Sequence, residues 1–267
     1  MKEPLLLIHG FTDCAGTWER VLPLLGPHHE VLAPSLVGHR GGPSVPNEML
    51  DPMATMADAL ELLLDDAGHE KAHIAGNSLG GFLAFELAAR GRALSVVALS
   101  PALGWETDQP PAASKRIFTR ARAIAPYLPR FAELLSRRPG LRKLAFRDLV
   151  AHPEGMSARE AYDLIIGSTE CTMFGPFLDH IDSGNYRPEW PDELGVPVRI
   201  AWSTADRTLP AKTCSGWYRE HLPNAEWVDL PGLGHLPQHD DPQLVATTIL
   251  EVTDRQTAAT SLAAARS

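Results

Sequence analysis

The chain has 267 residues, 44% hydrophobic and 21% charged, with a formal net charge of −9. That length and balance fit one enzyme-sized globular domain with a large core, and an acidic chain without a recognition module argues against a nucleic-acid partner. The 3 cysteines, Cys14, Cys171 and Cys214, form no Cys-x-x-Cys pair and are expected to be free thiols in a reducing, cytoplasmic setting. Leu5–Ile8 is too short for a signal-peptide core, and no run approaches the roughly 20 apolar residues of a membrane span.

In chain order, apolar runs predict strands at Pro4–His9, His29–Val37, Lys71–Asn77, Leu94–Ser100, Pro197–Ser203 and Ala225–Leu230. They are continuous rather than alternating, as parallel strands covered on both faces should be. Helical patterns at Ala54–Asp66 and Phe82–Arg90 lie between them, which predicts an α/β, doubly wound, parallel sheet of about six strands. The stretch from about Trp105 to Tyr186 breaks this rhythm and reads as mostly helical, punctuated by Pro110, Pro111, Pro126, Pro129, Pro139 and Pro153. The end of the chain, Thr257–Ser267, is a small-residue tail expected to be frayed or loosely helical.

One run carries chemistry. Ala72–Asn77 breaks into Gly76-Asn77-Ser78-Leu79-Gly80 and then into a helical stretch. A Gly-x-Ser-x-Gly turn between strand and helix lifts the serine hydroxyl clear of the sheet edge and points a helix N-terminus at it. Ser78 is therefore the candidate nucleophile. An acid, Asp206, follows the strand Pro197–Ser203, and His235 follows Ala225–Leu230 in the loop Pro231-Gly232-Leu233-Gly234. All three fall beyond the carboxyl ends of predicted strands, where open parallel sheets gather their catalytic groups. A serine hydroxyl is a poor nucleophile near neutrality, so His235 is expected to take its proton, with Asp206 holding the imidazole tautomer and an acyl-enzyme forming on Ser78.

The Ser, acid, His order together with His9-Gly10-Phe11 after the first strand resembles the α/β-hydrolase superfamily over about residues 3–250. The resemblance implies that the backbone N–H groups of Phe11 and Leu79 form the oxyanion hole, at about 3 kcal/mol per donor. It also implies that the helical stretch is a cap roofing the active site. The expected division is a core of residues 1–104 and 187–254, a cap of 105–186 and a flexible tail of 255–267. The superfamily's leading antiparallel hairpin is expected to be missing. Ser35 and Ser203 depart from the family's commoner Asp and Gly.

The sequence offers rivals for the acid and the histidine. Asp182 and Asp229 are fallback acids, and His239 competes with His235, which its glycine-flanked loop favours. His9 and His39 read as structural or pocket-lining, and Trp18, Trp105 and Trp202 as core or pocket wall. His235 and His239 have the spacing of a helical metal pair, but Pro237 lies between them and no His-Glu-x-x-His is present, so no metal is expected. No cofactor is expected either, because the glycine-rich turns lack a dinucleotide pattern. Between Ala112 and Arg147 every charge except Glu133 is positive: Lys115, Arg116, Arg120, Arg122, Arg130, Arg137, Arg138, Arg142, Lys143 and Arg147. That stretch reads either as attraction for an anionic substrate or as solvated helix faces balancing an acidic core.

Three readings of function follow. The first is a serine hydrolase of a carboxylic ester or thioester, with a small-molecule substrate. The second applies the same triad to a carbon–carbon bond or to a lyase or synthase reaction of a carboxylate. The third is a receptor that keeps only the fold.

Overall fold

In the computed structural model, which describes residues 2–107, 109–183, 190 and 193–264 with side chains to 257, the chain builds one sheet of 6 strands. The strands are β1 (Pro4–Ile8), β2 (Glu30–Leu32), β3 (Ala72–Asn77), β4 (Ala93–Leu99), β5 (Val198–Ser203) and β6 (Glu226–Leu230). Their order is β2-β1-β3-β4-β5-β6 and every pairing is parallel. All the predicted strands are present, but the second is shorter than expected. After Leu32 the chain leaves the sheet: Pro34 has no N–H to donate, and the N–H of Leu36 goes to the His9 ring instead.

Strand residues alternate between two cores. Leu6, Ile8, Ile74, Val96, Ala98, Ile200 and Trp202 point to one face. Leu5, Leu7, Ala75, Val97, Leu99 and Ala201 point to the other. The second face is covered by helix α1 (Leu22–Leu25) and by the C-terminal helix, which supplies Val245, Ala246, Ile249 and Val252. The first is covered by α2 (Pro52–Asp66) and α3 (Leu79–Ala89). Asp51 starts α2 by accepting from the N–H groups of Met53 (2.7 Å) and Ala54 (3.2 Å), with Pro52 pre-set for the first turn. Helix α3 has no polar face because nearly all of it is buried.

Between β4 and β5 the chain runs through α4 (Ala112–Ile124), a 3₁₀ turn (Ala125–Arg130), α5 (Ala132–Arg137), α6 (Pro139–Ala145), α7 (Ala158–Glu170) and α8 (Phe174–Asp182). This inserted segment has its own small core, in which Ala132, Phe146, Val150, Met156, Ala161 and Ile165 pack with Leu236. The expected cap boundary at 186/187 lies outside the described residues. After β5 come α9 (Ala211–Cys214) and α10 (Gly216–His221), and after β6 come α11 (Pro237–Asp240) and α12 (Pro242–Ala264). Helix α12 thus carries the expected tail as helix to Ala264; the last three residues lie outside the described ones. Among the described residues no helix is long and apolar enough to cross a membrane.

The strand order reverses direction between β1 and β3. The chain goes from β1 outward to β2 and returns to β3 on the other side of β1. In open parallel sheets such a switch opens a crevice beyond the carboxyl ends of the two strands, and the turns following β1 and β3 meet there.

Candidate active site

β3 is buried along its whole length, and the chain turns sharply at Ser78, whose φ of 55° and ψ of −116° lie outside the comfortable regions for an L-residue. The strain sits on the serine itself. Gly76 and Gly80 are not in the left-handed region; they are required by close approach. A Cβ on Gly80 would lie 2.1 Å from the Ile8 carbonyl oxygen, and one on Gly76 would lie 2.1 Å from the Gly80 oxygen. The turn is held on both sides. The Ser78 N–H donates to Leu99 O (2.9 Å), and its carbonyl accepts from Gly81 (3.0 Å), Phe82 (3.2 Å) and Ala102 (2.9 Å).

The turn after β1 lies against this elbow, since a Cβ on Gly10 would sit 3.3 Å from the Ser78 Cβ. Leu79 opens α3, where a first-turn N–H has no carbonyl within the helix to meet. Among the described residues neither Leu79 nor Phe11 finds an acceptor for its N–H. The Phe11 ring packs on Phe177 (centroids 4.2 Å apart) and Phe174 (5.1 Å) of α8, and on Phe118 (6.3 Å) of α4. The inserted segment therefore closes over the β1 turn through ring contacts.

Two buried histidines hold that turn. His9 Nε2 accepts from the Leu36 N–H (2.9 Å), which leaves Nδ1–H to donate to Gly10 O (2.8 Å). Burial, with help from the neighbouring His39, pushes the His9 pKa down to about 3. His39 donates from Nδ1 to Val37 O (3.0 Å), lies edge-on to His9 at 5.1 Å, and is pushed by burial down to about 4. Both rings are neutral at ordinary pH.

Asp206 follows β5 in a turn that points its carboxylate inward. One oxygen accepts from the N–H groups of Thr208 (2.9 Å) and Leu209 (2.7 Å); the other accepts from His235 Nδ1 at 2.7 Å. Both residues are buried. The His235 loop is tied down from two directions. Asn77, next to Ser78, donates to His235 O (2.9 Å) and Leu99 O (3.1 Å). Asp240 accepts from Gly234 (2.8 Å), Ala151 (3.0 Å) and His152 (2.8 Å), which joins the loop to the inserted segment.

The rival residues lie elsewhere. Asp182 pairs with Lys115 on the surface of the inserted segment, and Asp229 is exposed on β6. His239 faces Thr17 (3.0 Å) and Glu160 of α7 (3.3 Å), not Asp206. Burial opposes ionisation of Glu160, but hydrogen bonds from His239 and Ser157 outweigh it and hold its pKa down at about 2. Sequence reasoning missed the polar chain to which His239 belongs. Gln238 Nε2 donates to Thr17 Oγ1 (2.9 Å) and to Asn77 Oδ1 (3.4 Å), so a buried path runs from the residue beside Ser78 to α7. Trp18, Trp105 and Trp202 are buried, Cys171 and Cys214 are buried free thiols, and Cys14 is half-buried. Among the described residues no set of His, Cys, Asp or Glu side chains converges as metal ligands.

Known proteins share this architecture. A model of the alpha/beta hydrolase family matches residues 5–248. An epoxide hydrolase, EphH, of Mycobacterium tuberculosis is 34% identical over 203 residues, covering 73% of this chain and 92% of that protein. The solved 2-hydroxy-6-oxo-6-phenylhexa-2,4-dienoate hydrolase of Rhodococcus sp. strain RHA1 aligns with a TM-score of 0.75 at 21% identity, over 95% of this chain and 91% of that one. A thermophilic esterase of Thermogutta terrifontis aligns at 0.68 and 22% identity, over 96% and 91%. These two likenesses are of fold. By the family match over nearly its whole sheet-forming length, the chain belongs to the alpha/beta hydrolase family.

Proposed function

We propose that the protein is a serine hydrolase that cleaves a small carboxylic ester or thioester through an acyl-enzyme on Ser78. The observation that carries this reading is the combination of a strained serine at the β3–α3 turn with a buried His235–Asp206 pair 2.7 Å apart, its loop tethered by Asn77. In this mechanism Ser78 Oγ attacks the substrate carbonyl while His235 Nε2, the ring nitrogen Asp206 does not hold, takes the proton. Asp206 stabilises the imidazolium that forms. Negative charge grows on the carbonyl oxygen, and the N–H groups of Phe11 and Leu79 are the donors assigned to it. Collapse expels the alcohol or thiol with the proton from His235. Water activated by the same ring then releases the acid.

Organic chemistry separates this from the activity in the name of the mycobacterial relative. Attack by a serine on an epoxide carbon gives an alkyl ether, which has no carbonyl for water to attack, so the enzyme would not turn over. Attack on an ester gives a new ester, which hydrolyses. A serine at the elbow therefore favours acyl transfer over epoxide opening. The inserted segment, as a cap over residues 105–186, is assigned the choice of acyl and alcohol size, with residues 1–104 and 187–254 as the core.

The test is intact-protein mass after exposure to a fluorophosphonate, on the parent and on Ser78→Ala, followed by short nitrophenyl esters and thioesters. One adduct on the parent, none on the variant and ester turnover by the parent are expected. An unlabelled parent, or equal ester turnover by both, would overturn the reading. Turnover of a vinylogous diketo acid in place of the esters would replace it with carbon–carbon cleavage by the same groups.

A further inference from the structure

The inserted segment carries an apolar surface that the proposed chemistry does not use. Of the large hydrophobic side chains that stand exposed, Ile124 (51%) in α4, Tyr127 (62%) in the 3₁₀ turn, Phe131 (51%) at its junction with α5, Leu134 (45%) in α5 and Leu144 (64%) in α6 all belong to this segment. The first four recur at spacings of three and four residues, as one face of a helical path does. The next residue at each of these positions is already packed. Ala125 and Ala132 are buried, and Leu128 and Leu135 pack on the small core under α7. This stretch is thus apolar on two sides, one inward and one outward, and among the described residues the inward side is the one packed into a core.

Its charges are nearly one-sided, since Glu133, the one acid between Ala112 and Arg147, is paired with Arg137 (2.9 Å). Arg116, Arg120, Arg130 and Arg138 are exposed and meet no carboxylate among the described residues, and Arg120 and Arg138 each stand four residues from an end of the apolar stripe. Arg142, by contrast, is buried and spends its guanidinium on the carbonyls of Ser136 (2.7 Å) and Glu154 (3.2 Å), so it belongs to the fold rather than to this surface. Exposed aromatic and aliphatic side chains bordered by arginines, in a chain of net charge −9, match a surface that is apolar below a negative layer.

We infer that this face of the inserted segment docks on an anionic lipid surface, with Tyr127, Phe131 and Leu134 entering the headgroup boundary and the flanking arginines on lipid phosphates. A second copy of the chain fits less well. Face against face would bring arginines onto arginines, and outside this segment the exposed large hydrophobics of the described residues are only Leu50 and Leu62. The inference is independent of the reaction at Ser78, because its readout is binding and not turnover.

The experiment is flotation of the full chain with phosphatidylcholine vesicles, with and without phosphatidylglycerol, alongside sedimentation velocity without lipid. The parent is expected to float only with the phosphatidylglycerol vesicles. Arg130→Gln with Arg138→Gln should weaken partitioning by about fivefold per residue, about 1 kcal/mol each. Phe131→Ser with Leu134→Ser should weaken it by about tenfold or more. Both pairs should keep the parent's melting temperature, since all four side chains are exposed. A parent that stays with the soluble fraction in every mixture would overturn the inference. So would unchanged flotation of both folded variants, or a parent dimer that Phe131→Ser converts to monomer.

Discussion

Acid should destabilise this protein through two histidines that the proposed chemistry never touches. His9 and His39 begin from an ordinary value of 6.5 and are held at about 3 and about 4 by burial. Each folded value lies below the unfolded one, so below pH 6.5 the unfolded chain binds protons that the folded chain refuses. Their contribution is whole above pH 6.5 and is lost as pH falls towards the folded values. Proton linkage puts the loss between pH 7 and pH 5 at about 2 kcal/mol for each ring. The perturbation is His39→Asn, whose side-chain amide can still donate to Val37 O but does not titrate. Urea unfolding of parent and variant, followed by tryptophan fluorescence at pH 7, 6 and 5, reads the slope directly. His29, also held low by burial, is common to both proteins and cancels in the difference. The parent should lose about 2 kcal/mol more than the variant across that interval. Parallel profiles would refute the assignment of His39 as a buried neutral ring.

Three further outcomes are expected. Gly80→Ala should fail to fold, or lose about 3 kcal/mol or more, because its Cβ meets the backbone of Ile8 at 2.1 Å and no side chain can swing away; a melting temperature within a degree or two of the parent's would contradict this. Asn77→Leu takes the side-chain donor from the His235 carbonyl, while Leu99 O keeps the Ser78 N–H, and should cost about 2 kcal/mol of stability while lowering ester kcat more than it changes KM; an unaltered kcat would show that the tether does not set the position of His235. Asp206→Asn should lower kcat for a nitrophenyl ester by about 10⁴-fold, because the amide favours the wrong imidazole tautomer, and should slow fluorophosphonate labelling in step; near-parental turnover would remove Asp206 from the mechanism.

The sheet was legible because parallel strands covered on both faces read as unbroken apolar runs, and Leu5 to Ile8 fill both cores in alternation. Strand ends were less so. A run such as His29–Val37 looks uniform in sequence, but an edge strand lasts only while its N–H groups have a neighbour, and His9 draws away that of Leu36. The elbow was legible as a motif, but the motif does not say which of its residues carries the strain. Glycine spacing announces the turn, whereas the left-handed backbone falls on Ser78 and the glycines are there because Ile8 and Gly80 backbone atoms crowd them.

What sequence reading could not supply is the polar wiring around the site. Asn77 and Gln238 lie 161 residues apart, and Thr17 and His239 lie 222 apart, and no periodicity relates such pairs. His239 shows the cost of that blindness. By spacing it rivals His235, and the sheet's geometry decides between them: the turn after β5 holds Asp206 beside the loop that follows β6, so the first histidine of that loop meets it. The second, on α11, turns back toward Thr17 and Glu160. Each of its ring nitrogens is then occupied, one by a hydroxyl and one by a carboxylate. A ring so held has no nitrogen left to serve as a base at Ser78, so the choice of His235 rests on what the competitor is already doing as much as on the glycines around it.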